Sequence, residues 1–175
     1  MPVTKYRIPI WRTVVLKALR VEVRKVTPVD LFAGGPVILT CNHQSFLDGI
    51  ILAFAAPVKM VFPVSNVQSV ENRYTRLGLL ALQGLGLGTM VPMNSDHPFG
   101  MRQLLSSLKS GQSVAVFPQG RIAWPDEDLP EKAGVEWLHR RTGATVVRAK
   151  LHGAGDSRFF GRAGRKIWPR IVLEL

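Results

Sequence analysis

The sequence predicts a single α/β domain built on a mixed, largely parallel sheet with helices on its faces. Two observations carry this. Short apolar runs, alternating or continuous, take turns along the chain with stretches of helical periodicity, as they do in βαβ units. With 175 residues, 46% of them hydrophobic and 20% charged, the chain can form one substantial core and is not disordered. No internal repeat or low-complexity segment interrupts the pattern.

Residues 8–19 read as a helix, because Ile8, Trp11, Val15 and Leu19 recur at steps of three and four, with Arg12 and Arg20 off that stripe. A basic helix with tryptophan on its apolar side has the composition of a membrane-interfacial helix. Packing on the core with the basic side in water is the plainer alternative, and Val14, Leu16 and Ala18 widen the apolar face. Residues 21–26 alternate apolar and charged side chains and read as a half-buried strand. Residues 30–36, with Gly34 and Gly35, read as a loop. Residues 37–40 form a buried strand that delivers Cys41, Asn42 and His43 to its carboxyl end. Residues 47–56 read as a helix stopped by Pro57, with Asp48 in the first turn, where the helix dipole favours a carboxylate.

A strand over 60–64 precedes a helix over 70–80 and a glycine-rich apolar stretch over 82–88. Residues 89–92 are a strand. Residues 99–110 are a helix, with Asp96 or Ser95 as its cap and Gly111 as its stop. A strand over 113–117 leads to a helix over 131–142 that ends before Gly143. Strands over 144–151 and 169–175 complete the sheet. Ligands gather at the carboxyl ends of strands in such folds.

The 23 basic residues against 12 acidic ones give a formal net charge of +11, which favours a polyanionic partner. Nucleic acid, anionic lipid headgroups and an acidic carrier protein all have the right sign. The aromatic residues are few, and no nucleic-acid-binding signature is present, so nucleic acid is set aside. The single cysteine, Cys41, excludes an internal disulfide and fits a reducing compartment. No apolar run reaches the roughly 18–20 residues that span a bilayer. The longest, residues 49–58, ends at Lys59. The first residues lack a signal-peptide core and cleavage site. The expectation is a cytosolic protein face without a membrane-spanning segment.

The most informative stretch is Asn42-His43-Gln44-Ser45-Phe46-Leu47-Asp48-Gly49. A hydroxyl is a weak nucleophile at neutral pH and needs a base within hydrogen-bond reach. A neutral imidazole serves if a carboxylate holds its other ring nitrogen as a donor. Asp48 can reach back to His43 if the chain turns from strand to helix between them. No serine or cysteine nucleophile is needed when the substrate brings its own hydroxyl.

His43 and Asp48, flanked by Asn42, Ser45 and Gly49, match the His-x-x-x-x-Asp motif of the glycerolipid acyltransferases. A second block, Phe117-Pro118-Gln119-Gly120-Arg121, resembles that family's Phe-Pro-Glu-Gly motif and follows an apolar strand. Two ordered blocks are far more specific than either alone, and the resemblance covers nearly the whole chain. It implies a glycerolipid-acyltransferase-like fold, with His43 as general base and Asp48 as its orienting partner. It places Asn42, Ser45, Asn94, Phe117, Pro118, Gln119, Gly120 and Arg121 at the substrate, with Gly120 and Arg121 at the acceptor headgroup. A guanidinium suits phosphate through its planar fork of donors. The implied reaction is acyl transfer from an acyl thioester, on acyl carrier protein or CoA, to a lysophospholipid hydroxyl, with no metal and no cofactor. The resemblance also moves residues 1–20 to the interfacial-helix reading and 21–175 to the acyltransferase domain. The expected location is peripheral, on the cytoplasmic face of the inner membrane.

This sequence departs from the family pattern at three places. Gln119 stands where glutamate is usual, Asn94 aligns with an arginine that reads a phosphate monoester, and Arg148 stands where proline is common. The loss of a cation at Asn94 weakens the case for lysophosphatidate, whose phosphate carries nearly two charges. Arg121 directly after Gly120, together with Gly143-Ala144-Thr145-Val146 and His152-Gly153-Ala154, resembles the acyltransferase half of bacterial 2-acylglycerophosphoethanolamine acyltransferase/acyl-carrier-protein synthetase. The ligase half is absent, so the chain is read as a trimmed piece of a fusion or as a stand-alone domain. A lysophosphatidate acyltransferase and a catalytically degenerate lipid-binding module are the alternatives.

Cys41 shares a strand face with His43 in an extended chain, and simple packing is its expected role. His97, His139 and His152 form no metal-ligand spacing. Arg158, Arg162, Arg165, Lys166 and Arg170, with Phe159, Phe160 and Trp168 between, are expected to meet the membrane, since aromatic rings settle at the interface. Asp126, Glu127 and Asp128 are read as an exposed loop able to close over the cleft.

Overall fold

A computed structural model describes residues 8–28, 30–65, 80, 82–93, 99–124 and 127–175. The expected helix over 70–80 lies outside the described residues apart from Leu80, as do Asn94 and the expected caps Ser95 and Asp96.

The strands are β1 (Val21–Arg24), β2 (Val37–Cys41), β3 (Met60–Ser65), β4 (Gly88–Met93), β5 (Ser113–Val116), β6 (Thr145–His152) and β7 (Ile171–Glu174). They form one sheet in the order β1-β7-β6-β2-β5-β3-β4. The five neighbours from β6 to β4 are parallel. β7 runs antiparallel to β6, and β1 pairs parallel with β7. The sheet is therefore mixed and largely parallel, as the alternation of elements predicts.

Every residue of β2 is buried, as befits a central parallel strand covered on both faces. Its side chains divide with period two: Val37, Leu39 and Cys41 join one core and Ile38 the other. The first core is covered by α1 (Ile10–Ala18) and α3 (Asp48–Ala55). The second lies beneath α4 (Phe99–Lys109) and α5 (Gly134–Thr142). α4 turns Gly100, Leu104 and Leu108 inward at four-residue steps and ends at Gly111, whose φ is +83°.

Two element assignments differ from expectation. Within the predicted loop 30–36, Asp30–Ala33 forms a helical turn, α2, that buries Phe32. One turn is too short to show periodicity. α5 begins at Gly134, three residues after the expected start, because the Lys132 N–H bonds the Pro118 carbonyl and Glu131 pairs with Arg148.

α1 uses Leu16 as its buried anchor, with Val15 and Leu19 partly covered. Trp11 meets Phe54 edge-on at 5.9 Å, whereas Ile10 and Val14 face solvent. The helix closes with Arg20 in the left-handed region (φ +55°), and Arg20 Nη1 donates to the Trp168 carbonyl at 2.9 Å. Trp168 Nε1 in turn donates to the Ala18 carbonyl at 3.1 Å. The distant basic segment thus caps α1. Among the described residues no helix is long and apolar enough to cross a membrane.

Gly153 turns the chain out of β6 with φ +79°, and a Cβ there would lie 2.4 Å from the Arg170 carbonyl oxygen. Gly153→Ala is expected to destabilise the fold by about 2–4 kcal/mol, from left-handed backbone strain plus a backbone clash. A denaturant midpoint unchanged from the parent would contradict this.

Candidate active site

The site grows from the carboxyl end of β2. Asn42 Nδ2 donates to the Leu151 carbonyl at 2.9 Å, and its Oδ1 accepts the Leu151 N–H at 2.7 Å. This two-way clamp fixes the chain just before His43. Residues 44–47 then turn into α3, which brings Asp48 back beneath the imidazole. His43 Nδ1 and Asp48 Oδ2 are 2.9 Å apart.

Asp48 is fully buried (0% exposed). Its Oδ2 also accepts the N–H groups of Gln44 at 2.6 Å and Ser45 at 2.8 Å. Ser45 Oγ donates to Oδ1 at 2.6 Å. Among the described residues every hydrogen-bond partner of the carboxylate is a donor. Such an acceptor fixes the imidazole proton on Nδ1 and leaves the Nε2 lone pair as a base. Nε2 makes no hydrogen bond among the described residues, and the side chain is 20% exposed.

The second block lies against the first because β5 neighbours β2 in the sheet. Phe117 stacks on the His43 ring, with centroids 4.1 Å apart and planes 15° from parallel. Gln119 Oε1 accepts the His43 N–H at 2.8 Å, and the His43 carbonyl accepts the Ala123 N–H at 2.9 Å. That contact requires an acceptor and no charge, so glutamine fills it as glutamate would. Pro118 is buried. Gly120 turns the chain at φ +76°, with its N–H on the Phe117 carbonyl at 3.0 Å.

The two sequence blocks therefore meet, but several expected substrate contacts have other partners. Asn42 spends its amide on Leu151. Ser45 is fully buried and spends its hydroxyl on Asp48. Phe117 and Gln119 hold His43 itself. Gly120 and Arg121 remain exposed at the rim. Arg121 meets Glu127 end to end, Nη1 to Oε2 at 2.9 Å and Nη2 to Oε1. That partner lay within the acidic run, but spacing gave no sign of the pairing. Asn94 lies outside the described residues.

The loop over 157–166 also reaches the site. Its Phe160 carbonyl accepts the Phe46 N–H at 3.0 Å, and Gly161 bridges Ser45. Phe46, Phe159 and Phe160 are all exposed beside the His43 turn. A cavity of about 380 Å³ lies elsewhere, at the amino ends of β3 and β5, between Phe32, Met60 and Ser113. The His43–Asp48 pair sits at the opposite, carboxyl end of the sheet.

Cys41 is buried at the end of β2. Burial, reinforced by the negative charge of Asp48, pushes its thiol well above the ordinary cysteine range. A thiol so held stays protonated and is a poor nucleophile. Cys41 is expected to resist alkylation at pH 8 in the folded protein and to react promptly in denaturant. Prompt reaction of the folded protein would contradict this. Among the described residues no cluster of His, Cys, Asp or Glu is arranged to hold a metal ion.

The chain is similar to the crystal structure of the 1-acyl-sn-glycerophosphate (LPA) acyltransferase PlsC from Thermotoga maritima, with a TM-score of 0.58 at 19% identity. The likeness covers 93% of this chain and 68% of that one, and at this identity it establishes the shared fold. Residues 20–149 match the family described as Acyltransferase, a span holding both His43–Asp48 and the second block. The chain belongs to the acyltransferase family and is an acyl-transferring enzyme.

Proposed function

We propose that the protein moves a fatty acyl chain from an acyl thioester to the free hydroxyl of a lysophospholipid, with His43 as general base. The observation that carries this reading is the imidazole held through Nδ1 by buried Asp48, with Nε2 unengaged among the described residues at the carboxyl end of β2. His43 Nε2 takes the hydroxyl proton as the alkoxide oxygen attacks the thioester carbonyl. The tetrahedral intermediate collapses to an ester and expels the thiolate. The imidazolium returns the proton to that sulfur, giving a free thiol. The thioester is already activated, so the step needs no metal and no cofactor.

Arg121, at the rim beside Gly120, is the acceptor's phosphate contact in this reading. The acceptor preference follows the resemblance to the 2-acylglycerophosphoethanolamine branch, favouring lysophosphatidylethanolamine. The charge of +11 suits an acidic acyl carrier protein as donor, ahead of CoA. Work at an anionic membrane surface is supported by Ile10 and Val14 on α1, and by Phe159, Phe160, Ile167 and Trp168 among the basic residues after 157, all exposed. Peripheral attachment to the cytoplasmic face of the inner membrane is part of the same reading.

The second reading, a lysophosphatidate acyltransferase, draws on the likeness to PlsC. Acceptor competition separates the two. With acyl carrier protein as donor, lysophosphatidylethanolamine is expected to give the higher kcat/KM. A preference for lysophosphatidate would favour the second reading. Vesicle binding with transfer to neither lipid would favour a degenerate lipid-binding module.

A further inference from the structure

Arg121 presents the two parallel donors of its guanidinium to Glu127, the arrangement that also holds two oxygens of a phosphate. Glu127 is placed for this by its own anchor, since Oε2 accepts the Trp124 N–H at 2.9 Å. A second guanidinium is close by, that of Arg162 over the Trp124 ring at 5.2 Å. The ammonium of Lys132 lies over Gly120, where a Cβ would meet Nζ at 2.7 Å. The Glu127 carboxylate thus feels two guanidiniums, those of Arg121 and Arg162, with the Lys132 ammonium over the neighbouring Gly120. Its pKa lies below the ordinary glutamate range, chiefly through the hydrogen bonds from Arg121 and Trp124, so it is an anion across the neutral range.

We propose that Glu127 is an internal substitute for the acceptor's phosphate, occupying Arg121 until a phosphate-bearing ligand displaces it. The inference rests on the reading of Arg121 as the phosphate contact. The pair is reached by solvent, with side chains 43% and 30% exposed. Exposed pairs are weak enough to exchange, and rotation of the Glu127 side chain suffices to free the fork. The consequence is selectivity. A ligand must outcompete a carboxylate already held on both donors, which favours phosphate over weaker anions and disfavours uncharged acceptors.

Direct binding to the protein tests this without requiring turnover. Inorganic phosphate and glycerol 3-phosphate are titrated at fixed ionic strength into the parent, Glu127→Gln, and Glu127→Gln combined with Arg121→Gln. Glu127→Gln is expected to bind about three- to tenfold more tightly, as loss of an exposed competing pair implies, and the added Arg121→Gln to remove that gain. A larger gain for glycerol 3-phosphate assigns the site to a lipid headgroup, and equal gains assign it to phosphate as such. Unchanged affinity in Glu127→Gln, with Arg121→Gln still weakening binding, overturns the role of Glu127 and leaves Arg121 as the contact. Binding indifferent to Arg121→Gln, or no binding to any form, overturns both.

Discussion

His43→Ala is expected to lower the acyl-transfer rate by about 10²–10⁴-fold, the usual contribution of a positioned general base. The loss should appear in kcat more than in KM, because a general base acts on the proton in flight and does not hold the lipid. The fold should survive. The side chain is partly exposed and contributes one ring stack and one hydrogen bond, with Phe117 and Asp48. The stability cost is then about 1–3 kcal/mol. Turnover and thermal melting measured on the same preparation separate the two effects. A mutant that melts near the parent and turns over at the parent's rate would remove His43 from the chemistry.

Asp48→Asn should combine two losses. The carboxylate accepts from His43 Nδ1, Gln44 N, Ser45 N and Ser45 Oγ in a site closed to solvent. An asparagine offers one acceptor oxygen and turns an NH2 group toward donors. Buried donors left unpaired cost about 1–3 kcal/mol each, so a loss of about 3 kcal/mol is expected. The imidazole would also lose its preference for a proton on Nδ1. Wrong-tautomer substitutions of this type cost up to about 10⁴-fold in rate. Denaturant midpoints and kcat, compared with His43→Ala, give the distinction. Asp48→Asn should be the less stable of the two and comparably inactive. A protein destabilised but still fully active would make Asp48 a packing residue alone.

The contact between His43 and Asp48 was legible because it is local. His43 and Asp48 are five residues apart, and the predicted strand-to-helix turn brings them within reach. The sheet was legible for a similar reason, since buried parallel strands such as β2 read as unbroken apolar runs. What escaped the sequence was long-range. Asn42 looks like a substrate contact beside the His43–Asp48 motif, yet it is clamped to Leu151, 109 residues away. Gln119 looked like a loss of charge, whereas its contact in the fold is a neutral one to the His43 N–H. The helix-capping role of Trp168 joins residues 150 apart, and no spacing rule reports it. Strand order belongs to the same class, including the reversal that sets β7 antiparallel to β6.

The most direct test of His43-based transfer counts thiol released from an acyl thioester, with and without lysophospholipid, for the parent and His43→Ala. The expected result is thiol release that depends on the acceptor, matches the diacyl lipid formed mole for mole, and falls by about 10²–10⁴-fold in the mutant. Release at the same rate without acceptor, or undiminished in His43→Ala, would contradict the assignment of His43 as the base that activates a lipid hydroxyl.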